Sequence, residues 1–396
     1  MLERRLTEEL AQVKQQGLER KITDLHFSDP TQAVDRAGKN YLVLATNNYL
    51  GLTHAPEVIA ASQAAVAAYG SGSSGSRLTT GGTFAASALE KQLALFKHTE
   101  SALIFNTGYM TNLGVLYGLL QAGDVVFSDA LNHASIIDGC RISRCRVVVY
   151  RHNDMADLQR LLRAEPVSGQ RFIVTDGVFS MDGDIALLPE LVRLKEQYDA
   201  CLIVDDAHGV GVIGSDGSGT AAHYDLPGKI DLQVGTLSKA LAAEGGYVAG
   251  KKVIIDYLIN KSRPFIFSTA LAPATVAAAA AALQLLQTQP QKYLGRLWAN
   301  AALIRQLLTD AGLAVVPGAT PIIPVLVGEA ELTMRFAAKL RAAGILVSGI
   351  RPPTVPQGAS RLRVTVTAAH SEQQLRLAAQ TMGTIWRELT SIKEEG

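Results

Sequence analysis

The sequence predicts an α/β protein, with a mostly parallel central sheet flanked by helices and a smaller α+β domain at the C-terminal end. Three observations predict it. Between about residues 87 and 250, short apolar runs alternate with helical stretches, the order that produces a parallel sheet with crossover helices. Those runs are near-continuous in Val, Ile and Leu, as in strands buried on both faces. Beyond residue 311 the rhythm changes to strands at 321–327, 345–348 and 361–366 and helices at 331–343 and 371–389, which marks a second domain.

The elements follow in order. Leu2, Leu6, Leu10 and Val13 fall on one stripe of an N-terminal amphipathic helix. A strand is expected at 41–45, then a turn-rich segment, then a helix over 54–69 with Pro56 in its first turn. The seven central strands are expected at 102–105, 125–128, 147–150, 172–175, 201–204, 232–234 and 247–249. A long helical region covers 273–311. The domain boundaries expected are 1–50 for an N-terminal segment, 51–285 for the large α/β domain and 286–396 for the small one, whose core the N-terminal segment joins.

Composition narrows the function. With 37 Lys+Arg against 36 Asp+Glu the net charge is +1, which argues against a nucleic-acid binder or a polybasic membrane-surface protein. Three cysteines are too few and too scattered for a disulfide framework, and no pair suggests a metal site, so a reduced, cytoplasmic setting is expected. The apolar stretch 273–286 is too short to span a bilayer.

In open parallel sheets ligands sit beyond the carboxyl ends of the strands. The run ending at Val204 leads into Asp205-Asp206-Ala207-His208, two carboxylates and an imidazole, where a cap or a turn is the bland alternative. The run ending at Val234 leads into Gly235-Thr236-Leu237-Ser238-Lys239. A lone Lys is ordinarily a surface residue. One just past a buried strand among small neighbours can be desolvated into a nucleophile, with the Thr236 and Ser238 hydroxyls suited to a phosphate. Ser180 falls in the glycine- and carboxylate-rich turn 176–184, and His133 follows another strand end. Gly108 and Tyr109 open a helix, whose start favours an anion. The Gly-Ser-rich stretch 69–82 is neither a P-loop nor a dinucleotide fingerprint. An amine, a carboxylate and phosphate donors at adjacent strand ends are what a phosphorylated pyridine aldehyde requires, which is pyridoxal phosphate.

The runs NNYLG, GSGSSGSRLTTG, GYMTN, LNHAS, DGVFSMDGD, VDDAHGVGVIG and GTLSKA, in this order, resemble the α-oxoamine synthases over nearly the whole chain. These are fold-type I pyridoxal-phosphate transferases that join an amino acid to an acyl-CoA with loss of CO2. The stretch 350–371 is most similar to the biotin-pathway branch, which implies L-alanine and pimeloyl-CoA as substrates. A glycine-using acetyltransferase branch, or an aminotransferase or aldolase on the same fold, is the alternative. The resemblance implies that Lys239 bonds the cofactor aldehyde and later removes the Cα proton, that Asp205 pairs with the ring nitrogen, and that His133 stacks on the ring and assists acyl transfer. It places Ser180 and His208 on the phenolic oxygen, and Gly108, Tyr109 and Thr236 around ring and phosphate. Arg363 is implied to grip the amino-acid carboxylate with Asn47 nearby, a task suited to its rigid fork. Arg20 and Thr354 are implied to contact the acyl substrate. Ser268 and Thr269 are implied to serve the phosphate of a partner subunit, hence a homodimer with shared sites.

Overall fold

The computed structural model describes residues 1–394. The N-terminal helix Leu2–Gln15 buries none of its residues. A hairpin of β1 (Leu25–Asp29) and β2 (Gln32–Asp35) continues antiparallel into β3 (Asn40–Val43). The central sheet is built from β4 (Ser101–Phe105), β5 (Val125–Asp129), β6 (Arg146–Tyr150), β7 (Arg171–Asp176), β8 (Ala200–Asp205), β9 (Leu232–Thr236) and β10 (Gly246–Gly250). Their order across the sheet is β4-β10-β9-β8-β7-β5-β6. All pairs are parallel except those of β10, which runs antiparallel to both β4 and β9. Toward the C-terminus come β11 (Ile322–Gly328), β12 (Ile345–Leu346), β13 (Ser348–Ile350) and β14 (Ser360–Thr365).

Successive residues of a strand face opposite ways, and here both faces are dry. Val126 packs into one apolar cluster with Leu116 and Ile136, while Val125 and Phe127 pack into another with Leu158 and Leu191. This is why the runs carry no polar alternation. A third cluster runs from Leu44 and Leu89 through Leu237 to Ile323 and Leu389, so the large and small parts of the chain share apolar contacts. β12 adds parallel to β3, with Ile345 opposite Leu42, and so ties the N-terminal segment to the C-terminal one.

Three features differ from the sequence expectation. The β1–β2 hairpin is unforeseen because its strands are short and only Ala33 of them is buried, so they carry no continuous apolar run. The helical region 273–311 is two helices, Pro273–Thr288 and Arg296–Asp310, joined through Pro290 and a wide turn at Gln291–Gly295; proline has no N–H to continue the ladder. The strand expected at 345–348 is split, β12 joining β3 and β13 joining β14. Among the described residues no helix is long and apolar enough to cross a membrane, and no group of three or more His, Cys, Asp or Glu is placed to hold a metal.

Candidate active site

The carboxyl ends of β5, β7, β8 and β9 converge on a cavity of about 230 Å³. Gly108, Tyr109, His133, Ser180, Asp205, His208, Thr236 and Lys239 all line it. Ser238, whose hydroxyl the sequence suits to a phosphate, lines it as well, as do Asn112, Ser135 and Asp176, to which the sequence assigns no role.

Lys239 follows β9 in a turn closed by the Ala242 N–H donating to the Lys239 carbonyl at 3.2 Å. Its Nζ is 2.9 Å from His208 Nε2, and the other ring nitrogen of His208 is 2.7 Å from the hydroxyl of fully buried Tyr49. Burial lowers the Lys239 pKa to about 8, against the opposing pull of Asp205 and Asp176. Burial also holds His208 well below the usual imidazole range, and the Lys239 charge adds to it. A neutral imidazole beside a poised amine is what a nucleophilic lysine needs.

Asp205 ends β8 and is 6% exposed. Its Oδ1 accepts from the Ala207 N–H at 3.0 Å and its Oδ2 from Asn112 Nδ2 at 2.6 Å. Asp176 stands opposite it in the parallel register. Burial and the Asp205 charge push the Asp176 carboxyl well above the usual carboxylate range, because two neighbouring buried carboxyls resist ionising together.

The phosphate-suited end is made by sequence-local features. Thr107 caps the helix Gly108–Leu119 by accepting from the Met110 N–H at 3.0 Å. The first residues of that helix face the cavity beside the Thr236 and Ser238 hydroxyls, which are 2.7 Å apart. A positive helix end with two hydroxyls suits an anion. Across the cavity, half-buried Ser180 sits on a turn held from behind. Arg361 pairs with Asp182, Arg363 Nε donates to the Ser180 carbonyl, and His152 bridges Asp129 at 2.9 Å and Asp184 at 2.8 Å. Arg363 also points both terminal nitrogens at Asn47 Oδ1, each at 3.2 Å, so the pair reaches the rim through Ser180.

Not every candidate joins this cavity. Arg20 and Thr354 line a separate groove of about 950 Å³ with Arg351. Ser268 lines a small recess with Arg77 and Asn106, and Thr269 bridges Ser76 and accepts from Asn106 at 2.8 Å. The signals for the residues missed were weak but present. Asn112 lies one helical turn after Gly108, on the same face, and Ser135 is two residues past His133 at a helix start.

The Aminotransferase class I and II family description matches residues 39–382. The chain is 50% identical to the 8-amino-7-oxononanoate synthase of Geobacter sulfurreducens, over 98% of this chain and 99% of that protein. It is 45% identical to the enzyme of the same name from Lysinibacillus sphaericus, over 97% and 98%. A serine palmitoyltransferase structure with pyridoxal phosphate superposes with a TM-score of 0.92 at 34% identity, covering 97% of each chain. The chain belongs to the class I and II aminotransferase family of fold-type I pyridoxal-phosphate enzymes, within its α-oxoamine synthase branch.

Proposed function

We propose that this enzyme condenses L-alanine with pimeloyl-CoA, releasing CoA and CO2 and forming 8-amino-7-oxononanoate. The observation that carries the chemistry is the meeting of the Lys239 amine and the buried Asp205 carboxylate in one cavity with a phosphate-suited helix start. The substrates are supported by the names of relatives aligned over nearly the full length.

Bound there, pyridoxal phosphate would supply an electron sink for charge developing at the amino-acid Cα. Lys239 would hold the cofactor and, once displaced by alanine, its Nζ would take the Cα proton; a pKa of about 8 leaves it able both to accept and to return a proton near neutrality. Asp205 would keep a proton on the ring nitrogen. Gly108, Tyr109, Thr236 and Ser238 would bind ring and phosphate, and Ser180 and His208 the phenolic oxygen. His133, on the open side of the cavity, would assist acyl transfer. Arg363 with Asn47 would bind the alanine carboxylate, and Arg20 and Thr354 the acyl chain. We place the homodimer in the same proposal, with Ser268 and Thr269 serving the partner's phosphate. Phe84 at 91% exposure and Phe267 at 70% support it, as apolar surface that a partner would cover. A cytoplasmic setting is supported by three free cysteines.

A thiol-release assay tests this reading with alanine, glycine and serine against acetyl-, pimeloyl- and palmitoyl-CoA. The expected result is fastest release with alanine and pimeloyl-CoA. Fastest release with glycine and acetyl-CoA would reassign the enzyme within its branch, and no thiol from any pair would overturn the condensation.

A further inference from the structure

Asn112 is 2% exposed, and its amide nitrogen contacts both Asp205 Oδ2 at 2.6 Å and Ser135 Oγ at 2.8 Å. Ser135 Oγ is 2.7 Å from His133 Nδ1, and the Ser135 backbone N–H donates to the same Nδ1 at 3.2 Å. The chemistry of the groups sets the direction of every hydrogen. A carboxylate only accepts, so Asn112 turns its NH2 toward Asp205. The second hydrogen of that nitrogen goes to Ser135 Oγ, whose single hydrogen is left for His133. Nδ1 thus accepts from both the hydroxyl and the backbone, and the ring proton resides on Nε2. Gly139 allows the two helices to meet this closely: a Cβ there would stand 2.7 Å from Leu116 Cδ1 and 3.2 Å from the Asn112 carbonyl oxygen.

We propose that Asn112 and Ser135 are positioning residues that act on two groups at once, anchoring the Asp205 carboxylate and locking His133 as its Nε2–H tautomer. His133 then meets the substrate as a hydrogen-bond donor and not as a base. The proposal rests on the roles given above to Asp205 and His133. Burial and the Lys239 charge hold the His133 pKa below its usual value, against the pull of Asp205, which makes the neutral tautomer the relevant form.

The test is 15N NMR of histidine-labelled full-length protein, stripped of cofactor and again after reloading with pyridoxal phosphate. Wild type should carry the His133 proton on Nε2 in both states. Asn112→Ala frees the Ser135 hydroxyl to accept, and should shift the tautomer ratio toward Nδ1–H by about fivefold, the worth of one net hydrogen bond. Its kcat should fall about tenfold while the amino-acid KM stays within about twofold. Ser135→Ala should shift the ratio in the same direction, and Ser135→Thr, which keeps the hydroxyl, should restore it. A wild-type Nδ1–H signal, or equal ratios in Ser135→Ala and Ser135→Thr, would overturn the proposal, even if Asn112→Ala fails to fold. The tautomer is read without turnover, so an inactive wild type would sink the functional reading while leaving this test intact.

Discussion

Lys239 Nζ and His208 Nε2 stand 2.9 Å apart, and the imidazole lies between that amine and the Tyr49 hydroxyl, where burial and the Lys239 charge disfavour its charged form. His208 therefore accepts from the lysine through Nε2 and turns its own Nδ1 proton to the Tyr49 hydroxyl. The amine is held in place, half-buried, at the open end of a dry relay.

This relationship gives the first prediction. With its pKa at about 8, Lys239 in cofactor-free protein should be about half deprotonated at pH 8, when ordinary lysines near 10.4 are almost wholly charged. Reductive methylation followed by peptide mass mapping should label Lys239 ahead of the exposed lysines at pH 8 and lose that lead only as pH rises past the ordinary lysine value, where the exposed amines deprotonate too. Equal labelling rates at pH 8 would remove the poised amine.

Arg363 is 5% exposed and held by Ser180 and Asn47, so its guanidinium is already oriented. Arg363→Ala should raise the KM for alanine at least tenfold or so, as expected for loss of a charge-assisted pair, with a much smaller change for the acyl-CoA. Steady-state kinetics with each substrate varied in turn measure the split. A larger effect on the acyl-CoA KM would move the carboxylate grip elsewhere.

Lys97 and Asp206 form an ion pair 2.7 Å long whose side chains are 0% and 1% exposed. Lys97 also donates to the Ser218 carbonyl, and Asp206 accepts from Thr220. Lys97→Met strands a buried carboxylate next to Asp205 and should cost about 3–5 kcal/mol in urea unfolding. Replacing both partners, as Lys97→Met with Asp206→Leu, should cost less than that single change. If the double variant were the weaker of the two, the stranded charge would not be the cause.

His152 is bonded to Asp129 and Asp184, with Asn153 donating to both carboxylates and the edge of Phe179 against the ring. Burial disfavours its charge, but the two carboxylates outweigh that and raise the pKa to about 10. A raised folded pKa contributes stability fully present below the unfolded value near 6.5 and lost as pH rises through 10. Between pH 7 and 10 the urea midpoint of wild type should fall more steeply than that of His152→Gln. Parallel slopes would contradict the bridged, protonated ring.

Much of this was legible in the sequence because the central strands are dry on both faces. Apolar runs such as 172–175 and 201–204 announce such strands, and whatever polar group follows must lie at the sheet's carboxyl edge. The order of residues alone therefore puts Asp205, His208, Thr236 and Lys239 at that edge. Asn112 was hidden because its partners, Asp205 and Ser135, are 93 and 23 residues away, and only the packing of its helix against a second helix and the end of β8 brings them together. The split of 345–350 was hidden for a similar reason. Which sheet each half joins depends on β3 and β14, and local periodicity carries no trace of a distant partner.

The central claim is that one lysine amine bonds pyridoxal phosphate in a cavity walled by Asp205. Borohydride reduction of the holoenzyme, followed by peptide mass mapping, tests it most directly. The result expected is a pyridoxyl-phosphate adduct confined to Lys239 and absent from Lys239→Ala. An adduct on another lysine, or none in wild type saturated with the cofactor, would contradict it.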